Sequence, residues 1–132
     1  MTLEANVLRE NPLSLVSDGY ELDVHLAWYR SLPLSCIEQL KVVINGQEVA
    51  TDKICLHHQG QLVPFTELQE MTDDWWFVQD PLRFHLEVTP EIQKNGQAEL
   101  SVSLATRIPY VIIGPNFPLV QRTDVSKKVT VL

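Results

Sequence analysis

Cysteine is scarce in this chain. Cys36 and Cys55 are the only two and show no CxxC spacing, so a disulfide scaffold is excluded and reduced thiols are expected. Glycine is nearly as rare: all five lie in turn contexts, which leaves no phosphate-cradling loop. No apolar run approaches the roughly 18 to 20 residues of a bilayer-spanning helix. The opening MTLEANVLRENP lacks the basic and apolar regions of a secretory signal, so a cytoplasmic location is the expectation. Clustered basic charge is also missing. Ten Lys and Arg stand against 17 Asp and Glu, and only Lys127-Lys128 are adjacent. A net charge of −7 with a pI near 4.9 disfavours nucleic acid and anionic membranes as partners. Ser35-Cys36 has no glycine-framed elbow, so a nucleophile there is not expected.

What is present reads as one globular domain. At 132 residues the chain is long enough to hide about two-thirds of its unfolded surface, and 45% hydrophobic with 20% charged residues argues against disorder. The cleanest pattern runs from Tyr20 to Tyr29, where Tyr20, Leu22, Val24, Leu26 and Trp28 alternate with Glu21, Asp23, His25, Ala27 and Tyr29. It ends in the apolar corner Trp28 to Glu38, where Pro33 makes a sheet ladder unlikely to continue. Leu13–Val16 precedes it as a short strand, closed by Ser17-Asp18-Gly19. Glu38–Ile44 and Gln47–Ala50 flank Asn45-Gly46, a strong type I′ hairpin signal, and Ile54–His58 and Gln61–Val63 flank Gln59-Gly60. Thr66-Glu67-Leu68-Gln69 matches a capping box and predicts one short helical turn with Thr66 as N-cap. Leu82–Val88 and Ala98–Leu104 alternate as strands, and a last short strand is expected at Val129–Leu132. Segments 1–11 and 114–126 read as extended or loop. Eight or nine short strands with regular turn signals predict an all-β, antiparallel β-sandwich or jelly-roll-like single domain.

Candidate chemistry is thin. His57 and His58 are strand neighbours, point to opposite faces and cannot share one metal. His25 and His85 lie on polar strand faces; if those strands pair, the rings can meet, with Glu87 beside them, but a metal needs three or four convergent ligands. Asp73-Asp74 beside Trp75-Trp76 could form an acid–base pair, although a solvated turn accounts for them. No catalytic, cofactor-binding or metal-ligating residue is assigned. The aromatics are more telling. Trp28, Tyr29, Trp75, Trp76, Tyr110 and Phe117 gather at strand ends and loops with Arg30 and Arg107, the composition of interface anchors or of a platform for a sugar or aromatic ring. Trp28 and one of Trp75 or Trp76 can instead be core. The residues taken alone point to a binding module.

The corner WYRSLPLSCIEQLKVVINGQEV resembles the β subunit of bacterial C-glycoside deglycosidases. The resemblance continues at Phe65-Thr66-Glu67-Leu68, at Trp76 with Asp80-Pro81, and at Arg107-Ile108-Pro109-Tyr110, covering roughly 13–115. Two features depart from the family pattern: Trp75-Trp76 stands where one Trp is usual, and Pro90-Glu91-Ile92 replaces the usual Gly-Gly-Leu. The resemblance implies a small β-sandwich subunit without cofactor of its own, paired in a hetero-oligomer with a (β/α)₈-barrel α subunit. That partner carries a divalent metal, expected to be Mn²⁺, and the acid–base residues. The pair acts as a carbon–carbon lyase on 3-oxo-glucosides of flavonoids or related aromatics: a base takes the C2 proton and β-elimination expels the aglycone. By the same resemblance Trp28, Tyr29, Arg30, Pro33, Leu34, Ile37, Trp75, Trp76, Arg107 and Tyr110 form the partner interface or hold the loop that makes it. The alternatives are a β subunit of a related 3-oxo-O-glycoside eliminase, a free-standing carbohydrate- or aromatic-binding sandwich, and a small isomerase or lyase built on His25, His85 and Glu87.

Overall fold

Alternating apolar and polar residues build most of the chain into strands. The computed structural model describes residues 7–8, 12–26, 31–77, 80–88, 95–114 and 117–132, with side chains at all of these except 109–114 and 117–118. The strands are β1 (Leu13–Val16), β2 (Gly19–Val24), β3 (Leu32–Pro33), β4 (Ile37–Ile44), β5 (Gln47–Val49) and β6 (Ile54–His58). β7 (Gln61–Pro64), β8 (Trp75–Trp76), β9 (Leu82–Glu87), β10 (Gln97–Gly114) and β11 (Phe117–Thr130) complete them. One sheet has the order β1-β2-β9-β6-β7, a second β11-β10-β4-β5, and β3 and β8 form a two-stranded ribbon. Every pairing is antiparallel. The fold is thus the all-β sandwich that the alternation predicts. Leu22, Val24, Leu56, Phe84 and Leu86 from one sheet meet Leu40, Val42, Leu100, Val102 and Val129 from the other in a single buried cluster.

The turns follow the expected chemistry. Asn45 and Gly46 take φ +50° and +83°, and Gln59 and Gly60 +51° and +79°, so both hairpins turn through the left-handed region. Asn45 also ties its hairpin to β10, accepting the Glu99 N–H on Oδ1 at 2.8 Å. Gly19 is required for another reason. It pairs with Glu87, and a Cβ there would run into the Leu86 carbonyl oxygen.

Four expectations are corrected. β2 stops at Val24, although Tyr20, Leu22, Val24 and Leu26 are all buried as the alternation requires. The helical turn is a 3₁₀ segment, Phe65–Glu70, entered from Pro64 with no side-chain cap, so Thr66 lies inside it. Its i, i+3 spacing drives Phe65 and Leu68 together into the core. Two further 3₁₀ turns occur, at Leu34–Cys36 and Thr51–Lys53. Finally, β11 runs from Phe117 to Thr130 along β10, where a short terminal strand preceded by an extended or loop segment was expected. Its inward row is broken by polar residues: Thr123 is 2% exposed, and Lys127 donates to the Leu8 carbonyl. Among the described residues no helix is long and apolar enough to cross a membrane.

Candidate functional site

The corner after β2 is a set of backbone contacts centred on a tryptophan. Leu32 and Pro33 pair with Trp76 and Trp75, so a ladder does include Pro33, although only two residue pairs long. Just beyond it the chain remains bonded to the same neighbour: Leu34 N–H donates to Asp74 O at 2.8 Å and Ser35 N–H to Met71 O at 3.2 Å. Neighbouring strand residues face opposite ways, and the ribbon sorts its two tryptophans accordingly. Trp76 is 1% exposed and donates Nε1–H to Asp80 O at 3.0 Å, whereas Trp75 is 49% exposed. Phe77, the next residue, is 59% exposed. The ribbon and the residue that follows it therefore present two large aromatic groups, Trp75 and Phe77, to solvent, while Trp76 anchors the ribbon in the core.

Arg107 closes the other side of the corner. Its Nη1 meets Glu38 Oε1 at 3.0 Å and its Nη2 donates to Ser35 O at 3.4 Å, linking β10 to the 3₁₀ turn and to β4. Within that turn burial pushes the Cys36 thiol up, and the Arg107 guanidinium beside it works in the opposite direction. Of the interface residues expected from the sequence, Leu34, Ile37 and Trp76 are core side chains at 1%, 2% and 1% exposure. They can fix the corner but have almost no surface to offer a partner. Pro33 and Arg107 are partly accessible, and Trp75 is open. Trp28, Tyr29 and Arg30 lie outside the described residues. So do the side chain of Tyr110, which stands in β10, and that of Phe117 in β11.

The histidines assort differently from the expectation. β2 and β9 do pair, but Glu21 stands opposite His85, which leaves His25 four residues further along the chain, just past the end of β2. His57 and His58 part to opposite faces: His57 Nε2 lies 3.5 Å from Glu21 Oε1, and His58 Nε2 lies 3.3 Å from Asp74 Oδ1. Asp74 is therefore committed to the corner by both its carbonyl and its carboxylate, which favours a structural reading of Asp73-Asp74. On the outer face of the five-stranded sheet, Glu21, His57 and His85 bring one donor atom each within 4.8 Å of one another. The same face holds Arg83, which pairs with Asp23 at 2.9 Å, and Cys55, opposite His85. Burial, and then the Glu87 charge, push the Cys55 thiol up. The convergence of His57 with His85 was not legible in the sequence. Both lie at outward strand positions, but only the β6–β9 register brings them together.

Comparison with known proteins places the chain in context. The family described as C-glycoside deglycosidase beta subunit matches residues 3–110. A C-glycoside deglycosidase beta subunit of Microbacterium trichothecenolyticum is 33% identical over 92 residues, 70% of this chain and 69% of the relative. A 3'-dehydrocarminate deglycosidase beta subunit of a Microbacterium species is 35% identical over 100 residues, 74% of each chain. A C-glycoside deglycosidase beta subunit of Arthrobacter globiformis is 26% identical over 129 residues, 98% of each.

Proposed function

The chain belongs to the C-glycoside deglycosidase beta subunit family, and from that membership we propose that it is the non-catalytic small subunit of a hetero-oligomer. Its partner in this reading is a (β/α)₈-barrel subunit that cleaves 3-oxo-glucosides of flavonoids or related aromatics by β-elimination. A ketone at C3 acidifies the C2 proton; a base on the partner removes it, and the electron pair expels the aglycone from the anomeric carbon. The partner's divalent metal, Mn²⁺ in this reading, supplies charge stabilisation to the enolate. The observation that carries the proposal is the family match over residues 3–110.

What this chain contributes is a rigid surface. Trp75 and Phe77 lead that surface, at 49% and 59% exposure, on a ribbon held by Trp76 and by the Leu34–Asp74 and Ser35–Met71 backbone bonds. Large aromatics on a pre-ordered support lose little conformational freedom on docking, which is why Trp, Tyr and Arg dominate interface energetics. Arg107 and Glu38 hold the opposite flank of the corner. The acidic charge of the chain fits association with a protein better than with a polyanion.

Size-exclusion chromatography with light scattering tests the proposal on this chain alone and mixed with a (β/α)₈-barrel α subunit of the kind proposed. Co-elution, with 3-oxo-glycoside cleavage appearing only in the mixture, is the expected result. A chain that stays apart from the barrel and binds a glycoside by itself overturns it. Trp75 and Phe77 would then be read as a stacking platform for a sugar or aromatic ring.

A further inference from the structure

We propose that Glu21, His57 and His85 form a divalent-cation site of the Zn²⁺ type on the outer face of the five-stranded sheet, with Asp18, 3.3 Å from His85, placed to swing in as a fourth ligand. The three residues come from three adjacent strands. His85 stands on the central strand β9, with Glu21 directly opposite on β2. Cys55 stands opposite His85 on β6, which puts His57 one pleat further along the same face. Hydrogen-bonded strands hold all three backbones, a firmer support for a metal than loops provide.

The spacing is close to what a small cation needs. Zn–N and Zn–O bonds of 2.0–2.2 Å in a tetrahedron set neighbouring donors about 3.4 Å apart. His57 Nε2 and Glu21 Oε1 are 3.5 Å apart, and His85 Nε2 and Asp18 Oδ2 are 3.3 Å apart. The Glu21, His57 and His85 donors all lie within 4.8 Å, so side-chain rotation closes the remaining gap. His57 and Asp18 have the freedom to rotate, at 36% and 64% side-chain exposure, while His85 is held in place at 9%.

The outer shell is suited to the task. Arg83 Nε lies 3.5 Å from Glu21 Oε2, which leaves Oε1 turned toward His57, the kind of carboxylate orientation that supports metal ligands. Asp18, Asp23 and Glu87 add negative charge around the one cation, Arg83, among these residues. Two imidazoles with carboxylate select Zn²⁺ over Mg²⁺ or Ca²⁺, which favour all-oxygen sites. A cation here would staple β2, β9 and β6, whose ligands are far apart in sequence. The proposal concerns this chain alone and stands or falls separately from the subunit reading.

The test uses the isolated 132-residue chain, stripped with a chelator, without any barrel protein. Zn²⁺ is titrated by calorimetry and Co²⁺ by visible absorption. One bound equivalent with a tetrahedral Co²⁺ spectrum is expected, weakened at least about tenfold in both His57→Gln and Glu21→Gln. His58→Gln, which changes the neighbour that faces Asp74, should bind as the parent does. His57 and Glu21 are accessible enough for these variants to fold, and circular dichroism verifies it. No stoichiometric binding up to about 1 mM Zn²⁺, or parent-like binding by both variants, overturns the site and leaves two His–carboxylate ion pairs.

Discussion

Replacing Trp75 and Trp76 by alanine, one at a time, separates docking from folding, because the two side chains leave opposite faces of one short strand. Trp76 is 1% exposed, and removing a buried aromatic of this size costs about 3–5 kcal/mol. The lost Nε1–H···O bond to Asp80 adds about 0.5–1 kcal/mol, since its carbonyl is only part-buried. A combined loss of about 3.5–6 kcal/mol is a large share of the ordinary 5–15 kcal/mol that holds a domain together. Trp75, half exposed, should cost less than about 1 kcal/mol of stability. If Trp75 anchors the partner, its removal weakens the complex by about 2 kcal/mol, roughly thirtyfold in Kd. Urea denaturation followed by far-ultraviolet circular dichroism measures the first quantity, because tryptophan fluorescence is itself altered by the substitutions. Titration calorimetry against the proposed partner subunit measures the second. Trp75→Ala unfolding as readily as Trp76→Ala would refute the burial argument, and Trp75→Ala binding as tightly as the parent would refute the docking role.

Two further outcomes follow from the fold. Gly19→Ala should destabilise the domain by more than about 1 kcal/mol, because the new Cβ meets the Leu86 carbonyl across the β2–β9 ladder; an unchanged urea midpoint would contradict that close approach. Both thiols are pushed up, Cys36 by burial against the opposing Arg107 and Cys55 by burial and then Glu87. Unfolded thiols ionise near about pH 8.5, so above that the unfolded chain releases protons that the folded chain retains. Stability should hold below that point and fall as the pH rises past it. The gap between denaturation midpoints at about pH 8 and 10 should shrink in Cys36→Ala, with the Cys55 part remaining, and an undiminished gap would remove Cys36 as a cause.

Alternation made the strands legible. From Tyr20 to Val24 the buried and outward positions fall where the period of two puts them, and from Leu82 to Glu87 they do so except at His85, which is buried. The hairpins at Asn45-Gly46 and Gln59-Gly60 were legible because few residues accept φ > 0. β11 was not, because polar residues, Thr123 and Lys127, occupy its inward positions, where only tertiary contact such as the Lys127 bond to the Leu8 carbonyl accommodates them. The helical turn was misplaced because Thr66 offers a cap that Pro64 makes unnecessary, the chain already entering the turn from an extended Pro64. At the corner, the family resemblance marked Leu34, Ile37 and Trp76 as partner contacts or as holders of the loop that makes them, and only the tertiary structure shows all three buried inside the domain.

By itself, then, the sequence determined the fold class, the main turns and the family, all of which rest on local periodicity or on residues in a fixed order. Which of two adjacent tryptophans faces solvent, and which histidines come together beside Glu21, were decided by strand register alone. Register depends on pairing between segments tens of residues apart: Glu21 faces His85 and Cys55 faces His85 because β2, β9 and β6 align their buried rows across one core. A one-residue slip would exchange every face, and no local pattern records that choice.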